Sequence, residues 1–229
     1  MSKILPAAAF NLNGIAVGNL DWITAVFLVI LIFITLEFTL YRRKMTLLIQ
    51  SLFSPRHFSQ LTREGKIFNE RIFILNIGMI FLTQALFVYA LVELFFPGIY
   101  IQFQPPVVFL IALGAVIIDY LYKITITYTF CYLFDYEEER SSYYLYKLFY
   151  STINSLFLFI ILLIVFYTGF WQILLIYIPV FIITFVSMSF RVFTLNTKKI
   201  NPFHFFIYFC TFEILPYLVV VKILFLLEQ

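Results

Sequence analysis

Charge is what this chain has least of. Asp, Glu, Lys and Arg make up 12% of its 229 residues, where a soluble domain carries about 25%. Histidine is almost as scarce, with only His57 and His204. His57 lies in a basic segment and His204 at the start of an apolar run, with no HExxH spacing, so nothing points to a zinc site. The two cysteines, Cys131 and Cys210, fall in separate apolar runs without metal-type spacing, and they read as small core residues. P-loop and GxSxG signatures are missing, and Ser187 and Ser189 have no base partner in sequence. Net charge is only +3, with no dense basic patch on a soluble domain, which argues against nucleic-acid binding. The apolar patch Ile4 to Phe10 is too weak for a secretory signal. No metal and no cofactor are expected.

What fills the chain instead is hydrocarbon: 63% hydrophobic residues and a mean hydropathy of +1.01. No water-soluble fold of this size hides so much apolar surface. The apolar stretches are continuous over about 20 residues, the length of a spanning helix. A membrane β-barrel needs segments of about 10 residues that alternate apolar and polar, so barrels are excluded. The expected fold class is therefore all-α, a polytopic transmembrane helix bundle.

Taken in order, residues 1–21 form a short polar-leaning tail, and residues 22–229 a single transmembrane domain. Six spans are expected, at about 22–41, 72–96, 107–134, 146–167, 171–190 and 203–227. Between the first two lies the longest polar segment, 42–71. Met45, Leu47, Leu48, Leu52 and Phe53 there suggest a short amphipathic helix lying at the interface. Ser54-Pro55 starts a second one and Gly65 stops it. Thr168-Gly169-Phe170 reads as a tight turn, and Pro179 and Pro216 as helix kinks. Asp135, Glu137, Glu138 and Glu139 make an acidic turn, read as solvated rather than as a divalent-cation site.

The basic residues are unevenly placed. Arg42, Arg43, Lys44, Arg56, Arg63, Lys66 and Arg71 all lie in the first long loop. Arg140, Lys147, Arg191, Lys198 and Lys199 lie in loops that a six-span chain puts on the same side. Only Lys3 falls in the opposite loops or tail, so the positive-inside rule places both termini away from the cytoplasm. The basic face is then cytoplasmic, able to meet the acidic turn, anionic lipid headgroups or a protein partner.

A few charges fall within the spans: Glu37, Glu93, Asp119, Lys123, Glu213 and Lys222. At a rise of about 1.5 Å per residue, Asp119 lies about 18 Å into its span, Glu213 about 15 Å and Glu37 about 22 Å. Lys123 is one turn beyond Asp119 on the same face. Depth matching suggests an inner layer of Glu37, Asp119 and Lys123, with Glu213 level with Asp119 and an outer pair of Glu93 and Lys222. Each charge costs at least about 2.5–3.5 kcal/mol at the bilayer centre, so such groups face the bundle interior. Two readings follow: closed pairs that hold helices together, or a proton- or ion-coupled pathway. Asn76, Gln84 and Asn154, also within spans, read as interhelical hydrogen-bonding groups.

The string Glu213-Ile-Leu-Pro216 followed by Leu218 and Lys222, with Phe68-Asn69-Glu70-Arg71 and the Asp119-to-Lys123 segment, resembles an uncharacterised polytopic membrane-protein family of Bacteroidota, a domain of unknown function. The resemblance covers most of the chain. It implies an inner-membrane protein of a Gram-negative bacterium, with no assigned activity and no functional residues to carry over. The expected function is that of a non-enzymatic partner or assembly component in the bilayer. A small transporter or channel using Asp119, Lys123 and Glu213 is the first alternative, and an enzyme acting on lipid-linked substrates the second.

Overall fold

An apolar stripe at helical spacing, Ile23, Phe27, Ile30 and Ile34, gives the first helix its inward face, and all but the partly buried Ile34 are buried. The residues between them, among them Leu28, Ile32 and Leu36, stay exposed, as they can where lipid is the surroundings. The computed structural model describes residues 20–53, 71–95, 104–133, 137–195 and 222. Over these it is helical: α1 (Leu20–Leu40), α2 (Arg42–Phe53), α3 (Arg71–Phe95), α4 (Pro105–Leu133), α5 (Glu137–Thr168) and α6 (Leu174–Leu195), with a 3₁₀ turn at Trp171–Ile173.

Four of these helices are long and apolar enough to cross a membrane, at Asp21–Leu40, Phe73–Phe95, Pro105–Thr129 and Tyr146–Thr168. Helix α6 is apolar as well, over Trp171–Thr184 among the residues whose side chains are described. The sixth expected span lies outside the described residues, apart from Lys222, which is helical. So do most of the 1–21 tail and the second surface helix expected after Ser54.

Two boundaries differ from the sequence expectation. Pro105 and Pro106, just ahead of the span expected from 107, open α4, and the backbone N–H groups of Val107 and Val108 donate to the Gln104 carbonyl. Proline suits a first helical turn, whose N–H groups have no intrahelical partner anyway. Likewise Glu137, Glu138 and Glu139 belong to the first turn of α5 rather than to a loop. Carboxylates are favourable there because the helix dipole presents its positive end. The helix therefore starts well before the apolar run that signals the span.

Helix α3 is the centre of the bundle, packed against α1, α4 and α5, with α6 docked on α5. Ring contacts set the register. Trp22 of α1 meets Tyr89 of α3 with centroids 5.2 Å apart, and Phe81 of α3 meets Tyr120 of α4 at 5.1 Å. Near the other end of α1, Gly78 of α3 lets the Phe33 ring lie close. A Cβ at Gly78 would stand 2.8 Å from Phe33 Cε2. Neighbouring helices in the order α1, α3, α4, α5, α6 thus alternate in direction.

Two connections are tight. Tyr41 breaks α1 from α2, yet its N–H donates to the Glu37 carbonyl and its carbonyl accepts from the Met45 N–H, both at 3.0 Å. Between α5 and α6, Gly169 takes φ +72, the left-handed geometry that ends helices, and its N–H donates to the Val165 carbonyl at 2.9 Å. The tight turn read at Thr168-Gly169-Phe170 is therefore present. Pro179 lies inside α6, where it removes the backbone bond to the Leu175 carbonyl.

Candidate functional site

The alternating helices give the bundle two ends. One gathers Trp22, Tyr89, Phe109, Phe166 and Trp171 in mutual ring contact. The other collects the start of α3, the end of α4, the start of α5 and all of α2. Most of the polar chemistry lies toward this second end.

Glu37 continues the buried stripe of α1 one turn past Ile34, and it is fully buried. The register set by Phe33 and Gly78 puts it level with the first two turns of α3, where Asn76 is also buried. Across α3, the Thr152 hydroxyl of α5 donates to the Leu148 carbonyl at 2.8 Å and lies 3.3 Å from Asn76 Oδ1. Ser155, one turn along α5, is buried as well. These residues make a polar layer in an otherwise apolar core. It is incompletely satisfied: neither carboxylate oxygen of Glu37, nor the Ser155 hydroxyl, has a hydrogen-bond partner among the described residues. An orphaned buried polar group costs on the order of 1–3 kcal/mol, more when charged, so this layer is the most strained chemistry in the bundle. The interhelical roles read for Asn76 and Asn154 have their counterparts here. Asn154 Oδ1 lies 3.5 Å from the Thr184 hydroxyl of α6.

The membrane-depth charges are distributed differently from the layered network expected. Lys123 Nζ lies 2.9 Å from Asp119 Oδ2, an i,i+4 ion pair along α4 in which the lysine side chain is 11% exposed and the aspartate 34%. Glu37 makes no hydrogen bond to this pair. Equal depth is not enough, because α3 stands between α1 and most of α4, and the direction a side chain takes around its helix decides its partner. Glu93 is half-buried and Lys222 exposed, and among the described residues no ion pair joins them. Glu213 and Pro216 lie outside the described residues, as do Arg56, Arg63, Lys66 and Asp135. Arg42 and Arg43 are exposed at the start of α2.

One feature escaped sequence reasoning. Where α3, α4 and α5 meet, Phe73, Tyr120, Lys123, Ile124, Tyr144, Lys147 and Leu148 line a cavity of about 180 Å³, open on one side. The Tyr144 hydroxyl donates to the Ile124 carbonyl at 3.0 Å and ties α5 to α4 at its rim. Lys147 reads in sequence as one more loop charge. The packing of α5 against α3 and α4 makes it a wall residue.

The fold is a helical bundle with four helices long and apolar enough to cross a membrane, and its polar groups are concentrated toward one end. The chain belongs to the family described as Domain of unknown function (DUF4271), whose model matches residues 23–224. No curated protein and no solved structure matches it.

Proposed function

We propose that the chain is a multi-pass inner-membrane protein of a Gram-negative bacterium of the Bacteroidota type. It has six spans and both termini on the non-cytoplasmic side. Its role is that of a non-enzymatic partner or assembly component of a membrane complex. The observation that carries this reading is the closure of the Asp119–Lys123 pair within α4, 2.9 Å apart. A charge pair satisfied on its own helix serves packing and leaves little for a moving ion. The basic surface from Arg42 to Arg71 then supplies the cytoplasmic contact, to anionic headgroups or to a protein partner. Native electrophoresis and cross-linking in the source membranes test this: a stoichiometric protein complex is expected, and a chain that migrates alone while driving solute flux in liposomes overturns it. Topology is checked separately, by labelling single cysteines placed at Lys66 and Lys3 from either side of the membrane.

A second reading rests on Glu37, whose two oxygens lack a hydrogen-bond partner among the described residues although the side chain is fully buried. A proton or a small cation arriving there would satisfy it. This favours a proton- or ion-coupled role, using Asp119, Lys123 and Glu213 along the path. Under it Glu37→Gln abolishes ion-driven flux in liposomes, whereas a structural Glu37 leaves complex formation intact on the same substitution.

A further inference from the structure

Glu37 is the only fully buried acidic side chain among the described residues, and neither of its carboxylate oxygens has a hydrogen-bond partner there. Three features of its surroundings decide what it holds. The first is position along α1. Glu37 stands three residues before Leu40, where the apolar span ends, so about 5 Å of helix separates it from that boundary. Arg42 and Arg43, just beyond, are exposed. The second is what stands opposite. The Thr24 hydroxyl of α1 meets the Tyr167 hydroxyl of α5 at 3.0 Å, and the Phe27 ring lies 5.8 Å from that of Phe159 and 6.0 Å from that of Phe166. The two helices run antiparallel, so ten residues on from Phe27 Glu37 comes level with Thr152 and Ser155 of α5. Ser155 is buried, and its hydroxyl too lacks a partner among the described residues. The third is charge. The buried polar side chains at this level, Asn76 of α3 and Thr152, Asn154 and Ser155 of α5, are all neutral. Lys123 is paired with Asp119 along α4, and Lys147 lines the cleft between α3, α4 and α5. Among the described side chains no cation therefore balances a Glu37 carboxylate.

An isolated carboxylate taken out of water is neutralised rather than kept charged. We infer that Glu37 is a proton-binding site: its carboxyl is held as the neutral acid and exchanges its proton with water at the end of the bundle that carries α2. A metal cation is disfavoured. Hard cations gather about six oxygens, and Asn76 Oδ1 and the Thr152 hydroxyl already face each other 3.3 Å apart. The inference rests on the second reading above and names its occupant as a proton.

The test uses the full unsubstituted chain in mild detergent and N,N′-dicyclohexylcarbodiimide, an apolar reagent that reacts with carboxyls in their protonated form. The acid proton passes to a carbodiimide nitrogen, a carboxyl oxygen bonds to the central carbon, and the product rearranges to a stable N-acylurea that retains the whole reagent. Mass spectrometry of the peptide carrying Glu37 locates the adduct. Glu37 is labelled near neutral pH, and labelling falls about tenfold per pH unit once the proton leaves. A water-soluble carbodiimide labels the exposed Asp21 instead and spares Glu37. Glu37→Gln carries no adduct and lacks one infrared carbonyl band of a protonated carboxyl, and that band alone sustains the inference if the reagent fails to reach the site. An unlabelled Glu37 with no such band overturns it. So does protection from labelling by sodium chloride but not by choline chloride at fixed pH, because the occupant is then a metal cation. Labelling without proton-driven flux in liposomes keeps the proton site and removes the ion-coupled reading. Flux with Glu37 neither labelled nor protonated keeps that reading and removes the site.

Discussion

The two ends of the bundle are stabilised by different physics. At one, Trp22 packs on Tyr89 and Phe109, and Phe166 bridges Tyr89 and Trp171, with ring centroids 5.2–6.2 Å apart. Such contacts gain from dispersion and quadrupole geometry, and one buried polar atom here, the Trp22 Nε1, has no hydrogen-bond partner among the described residues. At the other, Glu37, Asn76, Thr152 and Ser155 sit buried in one layer, and three of their side-chain oxygens lack hydrogen-bond partners among the described residues. The aromatic end is therefore where substitution costs most. Parts of the polar end can be made apolar without loss. In a membrane protein that contrast separates residues that hold the fold from residues kept for another reason.

The sharpest way to break the comparison is at the aromatic end. Tyr89 is 2% exposed and touches both Trp22 and Phe166. Tyr89→Ala leaves a cavity in the bundle and should cost about 3 kcal/mol, read from thermal or denaturant unfolding in detergent. Next comes the ion pair. Lys123→Gln leaves Asp119 without its ammonium partner and should cost about 2 kcal/mol, below the usual figure for a buried pair because Asp119 is one-third exposed. Adding Asp119→Asn should return most of that loss, a coupling measured by a double-mutant cycle. Thr152→Val removes the hydroxyl that donates to Leu148 and faces Asn76, at a cost of about 1 kcal/mol. The smallest effect is the most telling. Glu37→Leu should leave stability within about 0.5 kcal/mol or raise it, since the carboxylate has no bond to lose and an apolar residue suits the site. A loss of several kcal/mol at Glu37 would mean that it has a bonded partner and that the polar layer is as structural as the aromatic one.

Much of this was legible beforehand. Continuous apolar runs predict α1, α3, α4 and α5 because a helix must satisfy its own backbone in lipid and cannot do so over a short stretch. The i,i+4 spacing of Asp119 and Lys123 is enough to foresee their contact. What the sequence hides is direction around each helix. Depth arithmetic puts Glu37 near Lys123, but a partner is chosen by azimuth as well as height, and apolar residues on all sides leave azimuth undetermined. Helix starts written in charged residues are hidden too. Glu137 to Glu139 look like a solvated turn until the helix dipole is considered. The cleft, built where three helices pack together, could not be read at all. The sixth span, with Glu213 and Pro216, lies outside the described residues.

The turn at Gly169 bears on how the chain is made. Only Gly169 and Phe170 separate the end of α5 from the 3₁₀ turn that leads into α6. No hydrophilic segment fits between them, so neither helix can settle in the bilayer while the other waits outside. Helix α6 carries Pro179, which costs it a backbone hydrogen bond. Its neighbour α5 is long, apolar and well packed, and it draws α6 in as the second arm of a hairpin. If both helices cross the membrane, they are expected to insert as one hairpin, and glycosylation mapping of α6 with and without α5 reads this dependence directly.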